Sequence, residues 1–205
     1  MSGYEDTKPQ PSRLERIAAA KKDVDVSHIA GNASDDIKRF VNPSLIYLSS
    51  KRGPTSFGAP ITQRMKLSEV SIVKKVEEPT REEGRVVCLL TVEEDMLNGS
   101  GILHGGCSAF LVDICSTLAD IALSLHTTGK PGWNVSQSIS TIYHSPAKLG
   151  DELRIVNTTL TVGARAVSAR TEIWNDTHHR LVVSGVHVKM APSPPPDKQQ
   201  DKSKL

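Results

Sequence analysis

One stretch of the chain breaks the rhythm of the rest. From His104 to about Leu125 apolar residues fall on most sides of a helical wheel, no proline intervenes, and the run is too long for an ordinary strand. It predicts a buried helix. His104, Asp113 and Asp120 interrupt it, and each such group at bilayer depth would cost roughly 2.5–3.5 kcal/mol, which argues against a membrane span. On either side lie six runs with alternating apolar positions and many β-branched residues: Met65 to Val76, Arg85 to Val92, Val135 to Tyr143, Leu153 to Val162, Ala166 to Trp174 and Leu181 to Lys189. These predict half-buried antiparallel strands, with turns at Lys148-Leu149-Gly150-Asp151 and Asn175-Asp176-Thr177-His178-His179. One buried helix and a curved antiparallel sheet of about six strands make an α+β architecture.

The pattern fades toward both ends. Residues 1–30 are polar and charged, and Ile17-Ala18-Ala19-Ala20 is too short an apolar patch to build a core, so a mobile arm is expected there. Ser34 is a plausible N-cap ahead of Asp35-Asp36 and the helically spaced Ile37, Phe40 and Val41, predicting a short helix that Pro43 stops. A loop packed along the domain follows, up to Pro60. From residue 192 the chain is proline-rich and polar, which predicts a flexible tail to residue 205. The folded domain is therefore expected over residues 31–191, with its core in 65–190.

Composition narrows the functional classes. At 205 residues, less its polar ends, the chain has room for one core. Its 25 basic and 23 acidic residues mix both signs, and aromatic content is 4%, so nothing favours a nucleic-acid backbone or a base-stacking platform. Cys88, Cys107 and Cys115 are odd in number, sit in apolar stretches and lack metal-ligand spacing, and they read as reduced, packed thiols. Five glycosylation-like patterns begin at Asn32, Asn98, Asn134, Asn157 and Asn175, but the polar start at Met1-Ser2-Gly3-Tyr4-Glu5-Asp6 offers no secretory signal core.

The chemistry concentrates where a polar loop runs into the predicted helix: Asn98-Gly99-Ser100-Gly101-Ile102-Leu103-His104-Gly105-Gly106. Adjacent glycines at a helix start allow close approach of a ligand, and the free N–H groups there favour developing negative charge, the requirement of an oxyanion hole. Asp113 then appears inside an apolar helix, where a carboxylate needs a partner or a polar cavity. Taken singly, Asp113 reads equally as a hydrogen-bonded structural carboxylate, His104 as a loop hydrogen-bonder and Asn98 as a turn residue.

Taken together, Asn98, Leu103-His104-Gly105-Gly106, Leu111-Val112-Asp113 and Ser116-Thr117 resemble the signature of PaaI-type hotdog thioesterases, especially the superfamily member 2 type. Ser145-Pro146-Ala147-Lys148-Leu149-Gly150-Asp151 resembles that family's turn after the third strand, and the likeness extends from about Met65 to Met190. The resemblance implies a hotdog fold and hydrolysis of acyl-CoA to a carboxylic acid and coenzyme A, with no metal or cofactor. It implies active sites between subunits of a homodimer or of a homotetramer built as a dimer of dimers. On it, Asp113 is the general base or nucleophile, Asn98 and the Gly105 N–H hold the thioester oxygen, His104 lies near the leaving sulfur and Ser136 positions water. Ser136, Ser138 and Ser140 alternate along one run and would share a face, so the assignment among them stays open. Gly106, Lys148 and Arg165 are candidates for contacting coenzyme A. Asp120, seven residues past Asp113, stands where the family has an apolar residue; it reads as a structural or interface group ahead of a second catalytic carboxylate.

The last three residues, Ser203-Lys204-Leu205, form a tripeptide read by the peroxisomal import receptor, so the peroxisomal matrix is expected, with the cytosol as alternative. Two other activities compete: a hotdog enoyl-CoA hydratase or dehydratase, and an acyl-CoA-binding module without catalysis.

Overall fold

The computed structural model describes residues 13–21, 24–49, 55–163 and 165–192. Ser203, Lys204 and Leu205 lie outside the described residues. The elements run α1 (Arg13–Ala20), α2 (Asp35–Tyr47), α3 (Ala59–Arg64), β1 (Lys66–Lys74), β2 (Glu82–Thr91), α4 (Gly105–Thr128), β3 (Val135–Tyr143), β4 (Glu152–Val162), β5 (Ala166–Asn175) and β6 (Arg180–Met190). All strand pairings are antiparallel, in the order β1-β2-β4-β5-β6-β3.

The sheet curls around α4, whose residues Leu111, Cys115, Leu118 and Ala122 are buried against inward side chains such as Val86, Cys88, Ile155 and Ile173. Helix α4 has the length and apolarity of a membrane span, but here it is the core helix inside a sheet. Burial alternates on β4 and β5, as half-buried strands require. The cysteines are free thiols, Cys88 and Cys115 buried and Cys107 half-buried.

Two expectations for the N-terminal third change. Helix α2 continues through Pro43 to Tyr47. Proline removes one backbone donor, yet burial of Ile37, Phe40 and Val41 before it and Leu45 after it keeps one face seated on the core, and the Ser44 hydroxyl donates to the Phe40 carbonyl at 2.7 Å. The expected mobile arm up to residue 30 is, in its described part, docked. Ile17, Val26 and Ile29 are buried, and Arg16 stacks over the Tyr47 ring at 5.4 Å. Residues 30–33 also cover the outer edge of β1: Val70 N–H donates to the Ala30 carbonyl, and the Asn32 amide exchanges two hydrogen bonds with the backbone of Ile72. Short apolar patches too small to make a core can still join one that already exists.

The opposite edge is left open. Strand β3 is exposed along most of its length, including Val135, Ile142 and Tyr143. A register shift against β6 falls between Ser136 and Ser138, so Ser136 opposes Lys189 while Ser138 and Ser140 oppose Val188 and Val186. Directly opposed residues share a face. Ser136 therefore lies on the inner face with Lys189, and Ser138 and Ser140 lie on the outer one, contrary to the expectation that all three share a face. The cause is one inserted residue, which reverses the alternation.

Candidate active site

The loop ahead of α4 is shaped by Asn98. Its side-chain Oδ1 accepts from the N–H groups of Ser100 at 2.9 Å and Ile102 at 3.3 Å, while Gly101 takes the left-handed conformation (φ 72°) to close the turn. With the oxygen engaged, the Asn98 amide nitrogen is what remains to donate outward. The loop is tied down by Leu103 N–H to the Ala147 carbonyl and by His104 N–H to the Met96 carbonyl, both 2.8 Å.

His104 is the N-cap of α4, and its Nδ1 accepts from Gly106 N–H at 2.8 Å. An accepting Nδ1 leaves Nε2–H as the outward donor of the neutral ring. The Gly106 N–H, expected to serve a ligand, is already engaged in the cap, so the free donor at the helix start is that of Gly105. Tyr143 Oη donates to the Gly105 carbonyl at 3.1 Å, pinning the first turn from β3. Asn98, Gly105, Ser108, Tyr143, His144 and Val182 line a cavity of about 460 Å³. A larger depression of about 960 Å³ opens near Lys74, Arg81 and Thr127, and none of the expected site residues lines it.

Asp113 lies two turns further along α4. Its side chain is 40% exposed, and its Oδ1 accepts from Ser136 Oγ at 3.1 Å. His187 Nε2 stands 3.5 Å from the same oxygen, and His187 Nδ1 lies 2.8 Å from Ser116 Oγ. Burial, reinforced by the nearby Lys189 charge and only partly offset by Asp113, pushes the His187 pKa down to about 4. The ring is therefore neutral near pH 7; its Nδ1 is paired with the Ser116 hydroxyl, while Nε2 faces the carboxylate without a hydrogen-bond partner among the described residues. The structure thus gathers Ser136, Asp113, His187 and Ser116 into one cluster of polar groups.

Sequence reasoning missed His187. The period-two pattern of β6 puts Val183, Gly185, His187 and Lys189 on one face, and two polar residues on an otherwise apolar inner face were the available signal. Lys189 is the second of them. It is 2% exposed and its Nζ donates to Asp120 Oδ2 at 2.6 Å, so the two form a buried ion pair. Burial raises the Asp120 carboxyl and lowers the Lys189 ammonium, each opposed by the other's charge.

Not all expected residues meet in one place. The Gly105 N–H and Asp113 are eight residues apart on α4, a rise of about 12 Å. Lys148 is exposed in the turn that flanks the loop, where its own N–H donates to Asp151 Oδ2 at 2.8 Å. Arg165 is exposed at the β4–β5 tip, its carbonyl accepting from Ala191 N–H at 3.0 Å, near the end of β6 that carries Lys189.

Comparison with known proteins bears on this arrangement. The sequence model of the Thioesterase superfamily matches residues 100–182. The human protein named acyl-coenzyme A thioesterase 13 is 38% identical over 106 residues, which is 52% of this chain and 72% of that one. The mouse protein of the same name is 36% identical over 123 residues, 60% of this chain and 80% of that one. The crystal structure of zebrafish thioesterase superfamily member 2 superposes with a TM-score of 0.59 at 26% identity, covering 75% of this chain and 96% of that one. The match to the zebrafish structure fits a hotdog fold, and with relatives this similar over more than two thirds of their own length, the chain belongs to the thioesterase superfamily.

Proposed function

We propose that the protein hydrolyses acyl-CoA thioesters to a free carboxylic acid and coenzyme A. The observation that carries this is Asp113: a half-exposed carboxylate held by a serine hydroxyl, on the same helix whose first turn presents the Gly105 N–H. The names of the human and mouse relatives agree with it. In this reading Asp113 takes a proton from water as the oxygen attacks the thioester carbon. The Gly105 N–H and the Asn98 amide receive the oxyanion. The tetrahedral centre then collapses, the C–S bond breaks, and the proton held by Asp113 passes to the departing thiolate beside His104 Nε2–H. Ser136 orients the carboxylate and the water.

One copy does not complete the site, because donors and base must each lie about 3 Å from the reacting group, whereas here they are separated along α4. We propose that two copies pair along the open β3 edge, so that the loop of one faces the Asp113 of the other, as a dimer or a dimer of dimers. The same pairing brings Lys148 and Arg165 to bear on one ligand, since they lie at opposite ends of one copy and would approach the coenzyme A phosphates from different copies. Ser203-Lys204-Leu205 would direct the protein to peroxisomes; a fluorescent fusion that stays peroxisomal without the tripeptide would overturn that part.

The decisive experiment is thiol release from saturated, unsaturated and aromatic acyl-CoAs by wild type and Asp113→Ala, with fold and assembly checked. A loss of about 10²–10⁴-fold in the variant supports the mechanism. Absence of thiol release by the wild type, with water added to an enoyl-CoA instead, would replace it with the hydratase reading.

A further inference from the structure

The buried Asp120–Lys189 pair is used by no step above, yet it adjoins the proposed base. Asp113, Ser116 and Asp120 follow one another along α4 at spacings that keep them on one helix face, and that face meets the inner row of β6, where His187 and Lys189 stand two residues apart. His187 reaches Asp113 and Ser116; Lys189 reaches Asp120. Lys189 is also the direct cross-strand partner of Ser136, whose short side chain already touches Asp113. A lysine side chain starting from the same rung is long enough to reach Asp113 as well. In the structure it bonds to Asp120 instead.

We infer that Asp120 is a positioning residue for the base: it holds the Lys189 ammonium away from Asp113, leaving the Asp113 oxygens to Ser136, His187 and an attacking water. A buried ammonium needs a carboxylate partner. The groups facing Asp113 are Ser136 from β3, His187 and Lys189 from β6, and Ser116 and Cys115 from α4 itself, with Asp120 one step further along α4 behind Lys189. Lys189 is the cation among them and already feels the Asp113 charge. Without Asp120, Asp113 is the carboxylate within its reach. A lysine bonded to Asp113 would neutralise the base and occupy the oxygen that must accept a proton.

The inference rests on Asp113 acting as the base, and the test keeps the two apart. The rate against pH for acyl-CoA hydrolysis is measured for wild type, Asp120→Asn, Lys189→Met and the double variant, together with thermal melting and the titration of the Asp113 carboxylate by ¹³C NMR on aspartate-labelled protein. In Asp120→Asn, turnover should fall about tenfold, with the acid limb of the profile and the Asp113 titration both moving down by about one pH unit. In the double variant both should return to wild-type values even if the melting temperature does not. A fall in melting temperature with no movement of the Asp113 titration overturns the inference, as does a movement that survives removal of Lys189. A wild type that releases no thiol overturns the proposed reaction instead, and the NMR titration still decides the Asp120 question.

Discussion

The two halves of the site lie on one helix but are made of different materials. The loop half is local, its side-chain and backbone donors all coming from residues 98–105. Asn98 spends its oxygen on a turn and His104 its Nδ1 on a cap, and what they leave to a ligand is N–H groups fixed by local hydrogen bonds between near neighbours. The acid half is side chain. Asp113 depends on Ser136 from β3 and His187 from β6, residues 23 and 74 positions away, and on a buried ion pair behind them. A half built from neighbouring residues can be assembled by a short sequence and tolerates change elsewhere. The other half is only as good as strand register, burial and charge balance make it.

That contrast can be broken by mixing. Asn98→Ala and Asp113→Asn should each lose activity as pure proteins, the latter by about 10²–10⁴-fold. Refolded together, they should regain a readily measured fraction, because a hybrid pair contains one site with an intact loop from one copy and an intact acid from the other. If thiol-release assays find no recovery in a mixture shown by native mass spectrometry to contain hybrids, the halves belong to one chain. The stability of the acid half should be the more fragile. Lys189→Met leaves Asp120 buried without its partner and is expected to cost about 3–5 kcal/mol in urea unfolding.

Acidification should find the same half. His187 has a folded pKa of about 4 against about 6.5 when exposed. The unfolded chain therefore takes up a proton first, and the stability present above pH 6.5 drains away as pH falls toward 4, by about 3 kcal/mol for this group alone. Urea midpoints measured across that window should fall, and His187→Gln should flatten the slope. The smallest effect sharpens the register. Ser136→Ala should slow turnover about tenfold, as loss of one hydrogen bond to a charged group allows, while Ser138→Ala on the outer face should leave kcat unchanged. Equal effects would mean that the inserted residue does not separate the serines.

How much of this was readable in advance follows the same division. The helix start and the turn at Lys148 to Asp151 rest on contacts within a few residues, and Asn98, His104, Gly105 and Asp113 could be named as candidates from their resemblance to a family signature. Pro43 misled because a helix-breaking residue was weighed locally, whereas buried side chains on both sides of it hold α2 together. The arm before residue 30 misled for the same reason, since the core it joins lies far along the chain.

The sequence alone determined the class of fold, because hydrophobic period is a local property of a chain, and its resemblance to a family signature named the candidates for the chemistry. Only the tertiary structure decided which serine meets Asp113, that His187 stands behind it, and that Lys189 is given to Asp120. One inserted residue in β3 and the alignment of β6 against α4 set those contacts, and a register between distant segments is fixed by their joint packing.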